Sequence, residues 1–320
     1  MEWDRGMRLG KGSFGEVFIA IPKDPESRKN KMAVKTSSED RAESLSVEHQ
    51  ILRKFLGTPG IIQCLDGGPS EKRTYNLFLE YASEGSLSDL ISKYGEEEGT
   101  GIPENHVRVY TRMILQALSS IHSLGYVHCD IKPRNILAFP GSPASEYGIR
   151  GEETIRELKV ADFGLAVETW KLIQGRGNKN RGTPRYVPPE VVVDGRVTPA
   201  MDIWALGCTV LEMLTGEIPW TRLHDIEDVL MEVREGCRPE FPGWLSVSGK
   251  DFLSKCFAKD YHRRPDADSL LRHPFVSGGC GFQKTKVIEQ VQQKQRLPGA
   301  AGFPLLPHEF CERYRAGLQV

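Results

Sequence analysis

Met32-Ala33-Val34-Lys35-Thr36 sets a lysine inside an apolar run, and no other feature constrains the fold as strongly. A lysine in such a strand is not left buried without an anion, because a desolvated ammonium costs more than the strand gains. Two acids in the following segment could serve, and helical geometry chooses between them. Leu45, Glu48, Leu52 and Phe55 recur at helical spacing, so Glu48 lies on the inward stripe and Glu43 falls off it. Pairing Lys35 with Glu48 explains two oddities at once and lays a helix against the strand.

Upstream, Leu9-Gly10-Lys11-Gly12-Ser13-Phe14-Gly15-Glu16-Val17 fits G-x-G-x-x-G-x-V, a pattern shared with dinucleotide-binding turns. The residues after the turn separate the two. A dinucleotide fold would open a helix here, whereas Val17-Phe18-Ile19-Ala20-Ile21 is β-branched and aromatic, and Pro22 to Lys31 reads as a polar loop. The order is strand, glycine turn, strand. Without side chains at Gly10, Gly12 and Gly15, backbone NH groups can close over phosphates.

His128-Cys129-Asp130-Ile131-Lys132-Pro133-Arg134-Asn135, with Asp162-Phe163-Gly164 downstream, supplies a base and metal ligands suited to phosphoryl transfer. That reaction asks little covalent chemistry of a protein, which must orient a hydroxyl, hold the triphosphate of ATP and neutralise charge with Mg2+. Asp130 is the candidate base. Lys132, two residues on, can set a cation on the transferring oxygens, and Asp162 and Asn135 offer the hard oxygen ligands that Mg2+ prefers. A single loop Asp is ordinarily a turn or cap residue. The whole run, with its Lys and Asn at fixed offsets, overturns that reading.

In this order the motifs resemble those of eukaryotic protein kinases, from about residue 9 to residue 276. The resemblance implies an α+β bilobal fold with a small β-rich lobe over residues 1–82, a larger helical lobe over 83–276 and a C-terminal extension over 277–320. It implies that Leu9 to Val17 and Lys35 bind ATP, with Glu48 orienting Lys35. Leu79 would stand at the gate of the adenine pocket, and the backbone of Glu80 and Ala82 would face the adenine edge. Asp202 would hold the catalytic loop, and Arg264 would pair with Glu190. Lys132 together with Gly182-Thr183-Pro184 looks like a serine/threonine kinase, in which Thr183 bonds both Asp130 and Lys132. Met1-Glu2-Trp3, the His128–Lys132 run and Arg181-Gly182-Thr183-Pro184 look most like plant-type mitogen-activated protein kinase kinase kinases, which implies a mitogen-activated protein kinase kinase as substrate. The alternative is a nucleotide-binding pseudokinase or signalling scaffold. Such proteins usually lack the Lys, the catalytic Asp or the metal Asp, and all three are present here. A small-molecule kinase would not be expected to carry Thr183 and the peptide-docking segment.

Three places depart from the family pattern. Cys129 stands where an arginine usually receives an activation-segment phosphate, and Thr169 is the only hydroxyl between Leu165 and Gly182. Both the phosphate's receptor and its site are weak, so activity independent of such a phosphate is expected. Cys129 itself reads as a small buried hydrophobe, against the sharper reading of a redox sensor beside the base. Val187-Pro188-Pro189-Glu190 has proline where Ala is usual, restricting Val187 to extended geometry. The stretch from Phe139 to Glu157 is longer than usual, and its Gly, Pro, Ser and charged residues suggest an exposed loop.

Among other elements, an acidic loop is expected at Glu96-Glu97-Glu98. A helix comes next over 103–124, with Val107, Tyr110, Ile114, Ala117, Ile121 and Leu124 on one face and Gly125 as its cap. A second, apolar helix opens at Asp202, runs to Leu214 and stops at Gly216. Beyond Val276, residues 284–295 could form a polar helix, and 298–307 is turn-rich. A net charge of −1 gives no reason to expect nucleic acid, and no apolar run approaches the ~20 residues of a membrane span. Seven scattered cysteines and no signal-peptide pattern suit a cytoplasmic or nuclear location.

Overall fold

A five-stranded antiparallel sheet forms near the N-terminus in the order β1-β2-β3-β5-β4, with its β-branched and aromatic runs concentrated in the three central strands. The strands are β1 (Trp3–Gly12), β2 (Gly15–Pro22), β3 (Met32–Thr36), β4 (Cys64–Pro69) and β5 (Tyr75–Glu80). The computed structural model describes residues 2–12, 15–24, 31–70, 74–149, 154–173 and 181–278. Two units divide the chain, residues 1–280 and 281–320. The expected tail helix at 284–295 and the turn-rich 298–307 lie outside the described residues, as do Ser13 and Phe14.

Period-two alternation gives the sheet two apolar faces. Phe18, Ala20, Met32, Val34 and Phe78 bury one of them, with the Trp3 ring edge-on to Phe78 at 5.5 Å. Helix α1 (Ala42–Leu52) packs on β4 and β5 and buries Leu45, Glu48, Ile51 and Leu52, while Glu43 is exposed. Gly15 sits at φ 149°, where a Cβ would lie 2.3 Å from the Thr36 carbonyl oxygen. Only glycine lets the turn fold this close onto β3.

The rest of the described chain is mostly helical. Helix α2 (Leu87–Glu98) overturns the expected acidic loop, since Glu96 to Glu98 form its last turn. Its start is set by a capping box, in which Ser86 Oγ accepts from Asp89 NH at 3.2 Å and Asp89 Oδ2 accepts from Ser86 NH at 2.7 Å. Leu87, Leu90 and Ile91 then bury one stripe, which outweighs three like charges on the solvent side. Helix α3 (Glu104–Ser123) buries Val107, Tyr110, Ile114, Ala117 and Ile121, as the spacing requires. Leu124 does not join them. It is the C-cap residue and is exposed, because the chain leaves the helix there through left-handed Gly125.

After α3 come β6 (Tyr126–Val127), β7 (Ile136–Pro143), β8 (Thr154–Val160) and β9 (Val167–Glu168), pairing β6 with β9 and β7 with β8. The expected exposed loop from Phe139 to Glu157 is largely a continuation of the β7–β8 hairpin. Phe139 pairs with Glu157 and Ser142 with Ile155, and Phe139, Ala144 and Ile155 are buried. A few apolar side chains among the polar residues were enough to extend the pairing past a bulge. Helices α4 (Thr169–Ile173), α5 (Pro189–Asp194), α6 (Pro199–Thr215), α7 (Ile226–Glu235), α8 (Val247–Cys256), α9 (Ala267–Leu271) and α10 (Pro274–Ser277) complete the unit. Helix α6 opens three residues before Asp202, with proline at its first position, and is buried from Met201 to Leu214.

Candidate active site

Strand β3 carries Lys35 inward, and its ammonium donates to both oxygens of Glu48 at 2.7 and 3.0 Å. A third bond reaches Asp162 Oδ1 at 2.8 Å. Burial works against the Lys35 charge, yet Glu48 and Asp162 overcome it and hold the ammonium's pKa above its ordinary value. Burial likewise pushes the Glu48 carboxyl up against the pull of Lys35. Asp162 is also desolvated, but Lys35, with His128 and Lys132 beyond it, holds its carboxyl below the usual range. Asp162 stands at φ 62°, a left-handed conformation that costs a non-glycine residue roughly 1–2 kcal/mol. Phe163 helps to hold it there, buried against Phe55 at 5.3 Å and edge-on to His128 at 4.8 Å.

The Asp130 carboxylate takes part in a closed set of bonds. Thr183 Oγ1 donates to Asp130 Oδ1 at 2.7 Å, Lys132 Nζ donates to Asp130 Oδ2 at 2.7 Å, and Lys132 Nζ reaches Thr183 Oγ1 at 2.6 Å. Asn135 Nδ2 donates to the Asp130 carbonyl at 2.9 Å and to Asp130 Oδ2 at 2.8 Å. With both amide hydrogens directed at Asp130, the Asn135 oxygen remains as a ligand atom. Its oxygen and the Asp162 carboxylate are a donor set that fits Mg2+. Among the described residues no three His, Cys, Asp or Glu gather into a metal cage. A metal here would therefore take its remaining oxygens from nucleotide and water.

The loop that carries Asp130 is held by α6. Asp202, fully buried, accepts from His128 NH at 2.8 Å, Cys129 NH at 2.9 Å and His122 Nε2 at 2.9 Å. This lets Cys129 adopt φ 69°. Arg264 grips Glu190 bidentately at 2.8 and 3.2 Å, with both side chains buried. The Cys129 thiol is buried among Val127, Val167, Val187, Val191, Val197 and Met201, and burial, with Asp202 beside it, pushes its pKa well up. A thiol so placed is mostly protonated and shielded, which disfavours its reaction as a thiolate. Thr169 gives its hydroxyl to the Gly125 carbonyl at 3.1 Å.

The glycine-turn residues Leu9 to Gly12 and Gly15 to Val17 form the end of the β1–β2 hairpin, with Gly12 opposite Gly15. Leu79 and Glu80 end β5, and Ala82 lies just beyond in the link to α2. Some participants had no sequence signal. Pairing of Glu80 with Lys159, packing of His128 on Phe163 and the bond from Tyr186 to Glu212 all depend on which elements meet in space.

Comparison with known proteins agrees with this geometry. The model of the protein kinase domain matches residues 3–276. Mitogen-activated protein kinase kinase kinase 20 of Arabidopsis thaliana is 38% identical over 290 residues, covering 87% of this chain and 79% of that protein. Kinase kinase kinase 17 of the same plant is 37% identical over 286 residues, covering 87% of this chain and 70% of its own. A relative in Dictyostelium discoideum, kinase kinase kinase A, is 32% identical over 284 residues, spanning 86% of this chain but 28% of its own. With the match running through every element that builds the site, the chain belongs to the protein kinase domain family and is a serine/threonine kinase.

Proposed function

We propose that this kinase transfers the γ-phosphoryl group of Mg-ATP to a serine or threonine of a mitogen-activated protein kinase kinase, and that it does so without a phosphate on its own activation segment. The observation that carries the first part is the closed set of bonds among Asp130, Lys132, Asn135 and Thr183. A substrate hydroxyl entering this set displaces Thr183 from one Asp130 oxygen, gives its proton there and is aligned for attack. Lys132 stands where charge grows on the transferring oxygens. Lys35, held by Glu48, binds the nucleotide phosphates, and the backbone of the glycine turn closes over them. Bound between Asp162 and Asn135, Mg2+ would supply charge neutralisation across the phosphates.

The non-arginine residue before Asp130 supports the second part. A phosphate receptor needs a cation at that position, and here a buried apolar cluster fills it. Gly182, at φ 97°, brings the segment so close that a Cβ would stand 2.9 Å from the Cys129 carbonyl oxygen. Arg181 donates to the Leu165 carbonyl, closing the segment's two ends on each other. These contacts tie the segment's described ends to the Asp130 loop and to each other.

The relatives' names place those proteins in a mitogen-activated protein kinase cascade, and the same position is assigned to this chain. The test is transfer of labelled phosphate from ATP to a panel of catalytically inactive mitogen-activated protein kinase kinases, before and after phosphatase treatment of the enzyme. Labelling of one member on Ser or Thr, unchanged by phosphatase, is expected. Labelling of none, with autophosphorylation intact, would remove the cascade position. Loss on phosphatase treatment that maps to residues 165–182 would remove the phosphate-independent reading.

A further inference from the structure

Glu80 ends β5 where the sheet gives way to the link into α2, and its side chain enters a polar knot. Its carboxylate accepts from Lys159 Nζ at 2.8 and 3.0 Å and from Gln63 NH at 2.8 Å, and its own NH donates to the Gln63 carbonyl at 3.1 Å. Gln63 is locked in turn. Its Oε1 accepts from Gly57 NH at 2.7 Å, and its Nε2 donates to the carbonyls of Ile61 at 2.7 Å and Thr58 at 3.2 Å. Lys159 lies over the buried Phe139 ring at 4.5 Å, so its ammonium is held by Glu80 and an aromatic face together, with the more exposed Glu157 carboxylate farther off at 3.9 Å. The Lys159 and Glu80 side chains are 15% and 22% exposed, so solvent screens this pair less than a surface one.

The strand that carries Lys159 also carries the metal end of the site. Val160 NH donates to the Gly60 carbonyl at 2.8 Å, Ala161 NH to the Asn135 carbonyl at 2.8 Å, and Asp162 meets Lys35 at 2.8 Å. Within four residues the chain from Lys159 to Asp162 therefore touches the loop over 57–63, the end of β5, the catalytic loop and β3. We infer that Lys159 is a positioning residue for the nucleotide, fixing the β5 end so that its backbone is presented to the base at a set distance from Asp162. This rests on the reading that the Glu80 and Ala82 backbone faces the adenine. Lys159 touches no substrate. Its action passes through the Glu80 carboxylate, whose loss of a partner leaves a half-buried charge that pulls the backbone toward water.

Calorimetric titration of the full chain with Mg-ATP and with adenosine tests this. Lys159→Met keeps the stem over Phe139 and removes the charge. It is expected to weaken both ligands by the same factor, about tenfold, as loss of support for a binding geometry does. Glu80→Gln is expected to do the same and the double variant no worse than either single, because the two act as one unit. Lys159→Arg, which keeps the ion pair, is expected to restore binding, and it serves if the methionine variant fails to fold. A merely structural ion pair would lower the melting temperature of Lys159→Met and leave both dissociation constants unchanged, which would overturn the inference. N6,N6-dimethyladenosine separates the two levels. If it binds the wild type as well as adenosine does, the adenine-edge reading fails and the inference falls with it. If it binds poorly while Lys159→Met binds adenosine normally, only the inference fails.

Discussion

Lys35 shows why single residues in this protein cannot be treated as independent charges. Its ammonium is shared between Glu48 and Asp162, so each substitution changes the partner left behind. Glu48→Gln is expected to lower kcat/KM roughly 10²-fold, since a phosphate-binding cation then loses its orientation. Steady-state kinetics with a protein substrate check it, and a change under threefold would argue that Asp162 alone holds Lys35. The pairing with Glu48 was readable from spacing, because a lysine in an apolar strand and a glutamate on an apolar helix face each need the other. The third bond to Asp162 was not, since it joins residues 127 positions apart. At Cys129 the apolar cage predicts inertness. On native protein, iodoacetamide is expected to label exposed Cys237 well before buried Cys129, as read by peptide mass spectrometry. Equal labelling would return the redox reading.

Among the elements, α6 does most to organise the catalytic loop. Its Asp202 answers two backbone NH groups and His122, all of which lose their acceptor in Asp202→Ala. Orphaned buried donors cost about 1–3 kcal/mol each, so the variant is expected to lose several kcal/mol in denaturant melts, with catalysis lost in parallel. The β7–β8 hairpin makes the opposite case to its reading as a loop. Ile155 is fully buried, so Ile155→Asp is expected to cost more than about 3 kcal/mol, where an exposed loop would tolerate it within ~0.5 kcal/mol. Helices with long stripes, such as α1 and α3, were legible because period and caps agree. The hairpin extension and the last turn of α2 were hidden because local composition there is polar or acidic and tertiary burial decides the outcome. Leu124 failed for a different reason, since periodicity carries no information about where the chain turns off the helix.

At the scale of the whole described unit, the segment over 181–190 is tied to the helical core by Arg185, by the Arg264–Glu190 pair and by the buried acid Glu212. Tyr186 donates to Glu212 Oε2 at 2.5 Å, with Arg134 of the catalytic loop and Cys208 of α6 also acting on this pair. Burial raises the Glu212 carboxyl from 4.5 to about 7 against the bond from Tyr186. A carboxyl that holds its proton more tightly when folded stabilises the fold most at low pH. That contribution is full below about 4.5 and is lost as pH rises to about 7. Melting temperatures of wild type relative to Glu212→Gln are therefore expected to fall across that window and to level off above it. A flat difference would show that Glu212 stays ionised. The family and the order of its landmarks were legible because catalytic motifs fix residue types at fixed offsets. The bonds that Thr183, Lys132 and Asp202 make around Asp130 followed from the same resemblance, whereas the packing of His128 on Phe163 did not, because the register of distant elements sets it. The transfer itself is assigned to Asp130, set among Lys132, Asn135 and Thr183. Its most direct test compares wild type with Asp130→Asn for ATP affinity and for phosphate transfer to a protein Ser or Thr. ATP affinity within about threefold and transfer lower by at least ~10²–10⁴ are predicted. Transfer equal to wild type by the asparagine variant would remove Asp130 from the reaction.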